Sequence, residues 1–183
     1  MLDDIRVVLV LPTPGMFGVP QFAAGTKDEV TYDLMHVVPP QSAPDWVKRT
    51  ALADPANPAG YVEIDKNTMR HTRYPNVFAL GAAGSSPNSK TGAAIRKQAP
   101  VVAHNLTSVM VGGTATASYD GYASCPLTTA RDKMLLAEFD YTMRPHPSFS
   151  PRLLDAQKER KDTWCLKRYG LPFMYWNLML GRA

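Results

Sequence analysis

Apolar positions follow three rhythms along the chain, and each rhythm predicts a different element. Unbroken β-branched runs come first. Ile5–Leu11 reads Ile-Arg-Val-Val-Leu-Val-Leu and ends at Pro12, which predicts a buried strand. Thr31–Val38 predicts a second strand, stopped by Pro39-Pro40, and Asn76–Gly81 a third buried one. Tyr61–Asp65 alternates apolar and polar residues, the period-2 pattern of a short strand, with Thr68–Arg73 as its neighbour. Tyr119–Tyr141 predicts two strands joined near Ala130–Asp132.

The second rhythm is helical. Ile95, Ala99, Val102, Leu106, Val109 and Met110 fall at intervals of 4, 3, 4, 3 and 1, a stripe at the 3.6-residue period. Ser89 or Thr91 can cap the start of this helix, Pro100 interrupts its hydrogen bonding, and Gly112-Gly113 ends it. Leu153–Tyr169 predicts a charged helix stopped at Gly170. The third pattern is aperiodic: Leu171–Leu180 packs Phe, Tyr, Trp and two Met into ten residues.

Breakers separate these elements. Sixteen prolines cluster at Pro12–Pro20, Pro39–Pro58, Pro87–Pro100 and Pro145–Pro151, so short elements alternate with extended loops. One helical turn fits around Trp46–Lys48. Gln21–Ala24 opens a helix that Gly25 cuts to one turn, so the join at Ala24–Asp28 reads as shortened.

A hydrophobic fraction of 45% and a charged fraction of 20% place the chain among globular proteins. A net charge of +4 suits an anionic cofactor, an anionic membrane surface or nucleic acid and selects none of them. No nucleic-acid partner is expected. Two cysteines 40 residues apart make no secreted disulfide framework, and no His/Cys spacing reads as a metal site. Two acids in Met1–Arg6 argue against a signal peptide, and no apolar stretch approaches the roughly 20 residues of a spanning helix.

Two places carry chemistry. The loop from Gly81 to Gly92 follows a predicted strand and precedes a helix start, the geometry that turns backbone N–H groups toward an anion. Gly84–Thr91 departs by one residue from the phosphate-loop pattern, with Ser89 at its second glycine. A nucleotide binder and an ordinary capped helix connection are both open readings there. Cys125 lies between the glycine turn of Tyr119–Gly121 and Pro126. A thiol at a turn is accessible to react, while a buried free cysteine is inert. Cys165 falls on a predicted helix and reads as a core residue.

Tyr74–Ala82 followed by Ser89–Pro100 resembles the last flavin-contacting segment of sulfide:quinone oxidoreductases, members of the flavin-dependent disulfide reductase superfamily. Tyr32–Pro40, Tyr119–Leu127, Leu135–Tyr141 and Pro172–Leu180 match in the same order, and Pro14–Pro20 looks like the family's second dinucleotide-like domain. The resemblance implies an α/β fold: the remnant of a two-dinucleotide-binding-domain, Rossmann-like flavoprotein, followed by a C-terminal β-hairpin and a helical tail. It divides the chain into a second-domain remnant at 1–30, the C-terminal part of the FAD-binding domain at 31–113, and a redox-cysteine and quinone-side region at 114–183.

The same resemblance assigns roles. Gly81, Lys90, Thr91, Gly92 and Ala93 match FAD-binding positions, and Cys125 matches a catalytic redox cysteine beside the flavin. Sulfide would be oxidised at cysteine and its electrons passed through FAD to quinone. Phe173, Tyr175 and Trp176 match the membrane and quinone side. The implied location is the periphery of a bacterial or mitochondrial inner membrane, and otherwise the cytoplasm. A docked core segment is the competing reading of the tail. His36 can touch the flavin pocket, although a satisfied strand histidine is the simpler reading.

Three departures qualify the match. Ala82 stands where the family carries an Asp, no G-x-G-x-x-G occurs, and the partner redox cysteine has no counterpart. The chain therefore reads as a carboxy-terminal portion with an internal deletion, impaired as an oxidoreductase by itself. A non-catalytic remnant or subunit, binding a complementary amino-terminal half, a second copy or a membrane, is the rival reading.

Overall fold

A computed structural model describes residues 7–10, 27–30, 41–148, 150, 155 and 158–180. It divides into two compact units, Met1–Pro40 and Gln41–Ala183. In the first, β1 (Val7–Val10) pairs antiparallel with β2 (Lys27–Val30), Val7 opposite Val30 and Val10 opposite Lys27. The β-branched run thus forms a strand as its pattern predicts, and its partner is the polar Lys27–Val30. The predicted strand at Thr31–Val38, the loop at Pro14–Pro20, the short helix at Gln21–Ala24 and His36 lie outside the described residues.

The second unit begins with the one-turn helix α1 (Asp45–Lys48). The next 40 residues differ from expectation. Tyr61–Asp65, Thr68–Arg73 and Asn76–Gly81 form isolated bridges rather than strands: Val62 with Ala53 and Gly84, and Arg70 with Phe78. Side chains replace ladder bonds here. Ser85 Oγ accepts from Ile64 N at 3.1 Å, and Asp65 Oδ1 accepts from Asn67 N at 3.1 Å and Thr68 N at 2.7 Å. Polar loops with many local acceptors satisfy the backbone this way and interrupt sheet pairing.

His71 is the buried pin of this region. Its Nδ1 accepts from Arg73 N at 3.0 Å and Tyr74 N at 3.3 Å, which leaves Nε2 to donate to the Leu52 carbonyl at 3.2 Å. Two amide donors on Nδ1 define the neutral tautomer with its proton on Nε2.

Helix α2 (Gly92–Met110) matches its predicted span, with Pro100 inside it and Thr91 at its cap. Thr91 Oγ1 accepts from Ala94 N at 3.2 Å. The buried face is not the apolar stripe. Ala94, Gln98 and Asn105 are buried, whereas Ile95 and Leu106 are 37% and 38% exposed and Met110 is 76% exposed. The two faces lie about 100° apart on the helix, one residue out of phase. Hydrogen bonds select the polar face. Gln98 Oε1 accepts from Gly81 N at 2.7 Å, and Asn105 bonds the Thr68 carbonyl and both backbone groups of Ala117.

β3 (Ala123–Ala130) and β4 (Lys133–Phe139) form the predicted hairpin, antiparallel, with a bulge between Thr128 and Ala130. Asp132 takes a left-handed φ of 61° in its turn, a conformation that Asp tolerates better than most residues. The main core gathers Ile64, Met69, Ala94, Tyr119, Tyr122, Ala123 and Phe139. Among the described residues the sheets are two-stranded and antiparallel, and a parallel link joins Val62 to Gly84.

The C-terminal helix starts at Lys161 and does not stop at Gly170. α3 (Lys161–Cys165) passes through a π turn at Leu166–Gly170 into α4 (Leu171–Met174) and a second π turn at Tyr175–Met179. The wide turn explains this. Leu171 N–H donates to the Leu166 carbonyl, five residues back, so the ladder is already relaxed where Pro172 would clash with a tight α turn. A second small core of Met134, Leu136 and Trp164 docks this helix on β4, and Thr163 Oγ1 donates to the Met134 carbonyl at 2.7 Å.

Three tyrosines in and beside the main core resist ionisation. Burial raises Tyr119, Tyr122 and Tyr141, the last to about 12. A phenol whose folded pKa is raised stabilises the fold fully below its unfolded value near 10, and that contribution fades as pH rises toward the folded value. Chemical unfolding between pH 10 and 12 is therefore expected to become easier with pH, and less steeply so in Tyr141→Phe. Equal slopes in the two proteins would refute this.

Candidate functional site

The loop before α2 and the segment leading into β3 are tied together by one asparagine. Asn88, buried, donates from Nδ2 to the Tyr119 hydroxyl and the Gly121 carbonyl, each at 2.8 Å, and its Oδ1 accepts from Ser86 Oγ at 2.6 Å. Tyr119 in turn donates to the Tyr122 carbonyl, and Tyr141 donates to the Lys66 carbonyl. Cys125, four residues after Gly121, is therefore held on a strand anchored to the loop that carries Lys90.

Cys125 is a half-buried free thiol, opposite Ala137 in the hairpin register. The next residue, Pro126, offers its carbonyl to Lys167 Nζ at 2.8 Å, and Lys167 also reaches Thr128 Oγ1 at 2.9 Å. This ammonium clamps the tail helix along the strand of Cys125. Cys165, the last residue of α3, is also half-buried and free.

Lys90 turns back on its own loop. Its ammonium donates to the Gly84 carbonyl and stands 4.1 Å from the centre of the Tyr61 ring. Burial holds the ammonium below the usual lysine value, and no carboxylate lies within ion-pair reach among the described residues. A partly desolvated cation compensated only by a carbonyl and a π face is suited to accept an anion.

The helix start beside it is open. A Cβ on Gly92 would meet nothing within 4 Å, and the first-turn N–H groups of Gly92 and Ala93 have no acceptor within the helix. Thr91 spends its hydroxyl on the cap. Gly81 does something else. It has φ 62°, a Cβ there would come within 2.9 Å of Ile95, and its N–H bonds Gln98. Gly81 thus seats the loop on α2. Phe173, Tyr175 and Trp176 lie on the tail helix and are 61%, 47% and 54% exposed.

Several residues that build the site were missed by pattern reading: Asn88, Gln98, Asn105, Tyr61 and Tyr119. Gln98 and Asn105 stand seven residues apart on one helix face, and that spacing was the available signal. Asn88 and Tyr61 had none, because their partners are distant in sequence.

No protein-family profile matches the chain. Curated proteins do. The mitochondrial sulfide:quinone oxidoreductase of Mus musculus is 42% identical over 156 residues, covering 85% of this chain and 33% of that protein. The Schizosaccharomyces pombe protein of the same name is 44% identical over 155 residues, covering 84% and 33%. That of Dictyostelium discoideum is 43% identical over 165 residues, covering 90% and 34%. This chain is a partial homologue of the sulfide:quinone oxidoreductases.

It spans about a third of the length of the sulfide:quinone oxidoreductases it matches. A fold likeness also exists to a chain in the cryo-EM structure of the Tetrahymena thermophila mitochondrial ATP synthase, an F1Fo composite tetramer. The TM-score is 0.70 at 23% identity, over 87% of this chain and 37% of that one. At that identity the likeness concerns the fold alone. Among the described residues no helix is long and apolar enough to cross a membrane, and no group of three His, Cys, Asp or Glu can hold a metal ion.

Proposed function

We propose that this chain carries the thiol and the flavin-ring side of a sulfide:quinone oxidoreductase site, at a mitochondrial membrane surface. The 42–44% identity to proteins of that name carries the reading. The geometry supports it: an open helix start and a lysine without a carboxylate partner among the described residues share a hydrogen-bonded frame with the strand of Cys125.

FAD would be held at its ring end by Lys90 and by the amides of Gly92 and Ala93, where it would supply a two-electron acceptor. Those residues fit that end of the group. The remainder of FAD finds less, since Ala82 offers no carboxylate and the sequence holds no G-x-G-x-x-G loop. Lys90 would place positive charge beside the ring edge that gains negative charge on reduction. Cys125 would accept sulfane sulfur on its thiolate. The tail helix would rest in the membrane surface on the side where quinone enters, through Phe173, Tyr175 and Trp176.

Flavin fluorescence tests the ring end. The ring-only compound lumiflavin is expected to be quenched by the chain, and FAD to bind no more tightly than lumiflavin. Gly92→Val, which fills the open space, is expected to weaken both roughly tenfold by blocking ring approach. Absence of quenching with either compound would overturn the flavin part of this reading.

A further inference from the structure

The turn of the β3–β4 hairpin and the helix α3 enclose an open cleft of about 520 Å³. Thr128, Arg131, Asp132, Trp164, Arg168 and Tyr169 line it. Its electrostatics are unbalanced. Arg168 lies beside two rings, with its guanidinium carbon 5.6 Å from the centre of Trp164 and 5.7 Å from that of Tyr169, and its Nε donates to the Tyr169 hydroxyl at 3.4 Å. Neither Arg131 nor Arg168 has a carboxylate within ion-pair reach among the described residues. Lys167 reaches the cleft wall through Thr128 Oγ1 at 2.9 Å. Two guanidinium groups thus line the cleft beside one lining carboxylate, that of Asp132. The nearby Glu159 is already paired with Lys133 at 2.7 Å.

Two other basic residues of this region are different. Arg160 is bonded to Asp162, with its closest contact at 2.6 Å, and Lys158 pairs with Asp155 at 3.0 Å. Lys161 is also without an ion pair among the described residues, but it stands outside the cleft, where Arg131 and Arg168 lie together. An apolar path leads away from it. Tyr169 lines the cleft, and Phe173 and Trp176 follow at spacings of four and three along the same helix. They are 62%, 61% and 54% exposed. Aromatic residues of this kind favour the boundary between headgroups and acyl chains, and guanidinium groups bind phosphate through forked hydrogen bonds.

We propose that this cleft binds the phosphate of an anionic phospholipid headgroup, with Arg131 and Arg168 as its ligands and Phe173 and Trp176 set in the bilayer interface. The inference rests on the membrane part of the proposed function and narrows it to a headgroup site. Trp164 and Tyr169 hold the Arg168 guanidinium in place, so the phosphate would meet an ordered cation.

Sedimentation with vesicles tests the site. The full chain is expected to bind phosphatidylcholine vesicles that contain about one-fifth phosphatidylserine more tightly than pure phosphatidylcholine. Arg131→Gln/Arg168→Gln is expected to lose roughly thirtyfold, about fivefold for each cation. Lys161→Gln, also basic but outside the cleft, is expected to lose less, and Arg131→Lys/Arg168→Lys to keep most of the binding while preserving charge at a folded site. Equal binding of the double glutamine variant and the parent would overturn the proposal. Equal binding to neutral and anionic vesicles would also overturn it while leaving the membrane reading intact. No binding to either vesicle removes the membrane reading itself. Inorganic phosphate that binds the parent without any vesicle association would reassign the cleft to a soluble anion and overturn the lipid assignment.

Discussion

Asn105→Ala is expected to lower stability by about 3–5 kcal/mol. Asn105 is fully buried on the inner face of α2. Its Nδ2 donates to the Thr68 carbonyl at 3.0 Å and the Ala117 carbonyl at 2.9 Å, and its Oδ1 accepts from Ala117 N at 2.8 Å. Removing the amide strands three half-buried backbone groups, each at the lower end of roughly 1–3 kcal/mol. The side chain also joins α2 to two loops far apart in sequence, so its loss releases both. Since whole domains are stable by only about 5–15 kcal/mol, the variant stands close to unfolding. Asn105→Asp keeps the acceptor and replaces the two donors by a carboxylate facing two carbonyls, so it is expected to be at least as damaging. Urea titrations would show a lower midpoint at unchanged slope. A midpoint equal to the parent's would refute the clamp.

Cys125→Ser is expected to abolish sulfur uptake by the chain, a fall of at least about a hundredfold in rate. Polysulfide supplies the sulfur. The Cys125 thiolate attacks a terminal sulfane sulfur, a new S–S bond forms on Sγ, the old S–S bond breaks, and a polysulfide shorter by one sulfur leaves with the electron pair. A serine hydroxyl is not ionised at neutral pH and cannot replace the thiolate. Cys125 is half-buried on β3 and free, so no disulfide has to be broken before it reacts. Mass spectrometry after incubation with polysulfide reads the added sulfur atom by residue. Cys165→Ser is expected to leave the modification of Cys125 unchanged. Sulfur carried by Cys165 alone would refute the assignment of Cys125. Because the readout needs neither flavin nor quinone, it separates the thiol from the remainder of the proposed site.

Much of this protein is legible from local pattern. The cap at Thr91, the span of α2 and the β3–β4 hairpin with its turn at Arg131-Asp132 all follow from capping chemistry, periodicity and breakers. The family likeness is legible too, because it rests on ordered motifs such as Ser89–Pro100 and Tyr119–Leu127. The strands expected at Tyr61–Asp65 and Thr68–Arg73 were not, since Ser85, Asp65 and His71 capture backbone groups that a ladder would need. The helix stop expected at Gly170 failed because a π turn takes in Gly170 and leaves Pro172 in the first turn of α4.

By itself the sequence determined the span of α2, the β3–β4 hairpin, the place of Lys90 beside a helix cap, and which family the motifs resemble. These are properties of near neighbours along the chain, governed by propensity, capping and periodicity. Only the tertiary structure decided which face of α2 is buried, that Lys90 lacks a carboxylate partner among the described residues, and that Arg131 and Arg168 line one cleft. Those outcomes depend on hydrogen bonds and charges that converge from residues tens of positions apart. A period of 3.6 marks an amphipathic helix, but the polar partners of Gln98 and Asn105 determine which side turns inward.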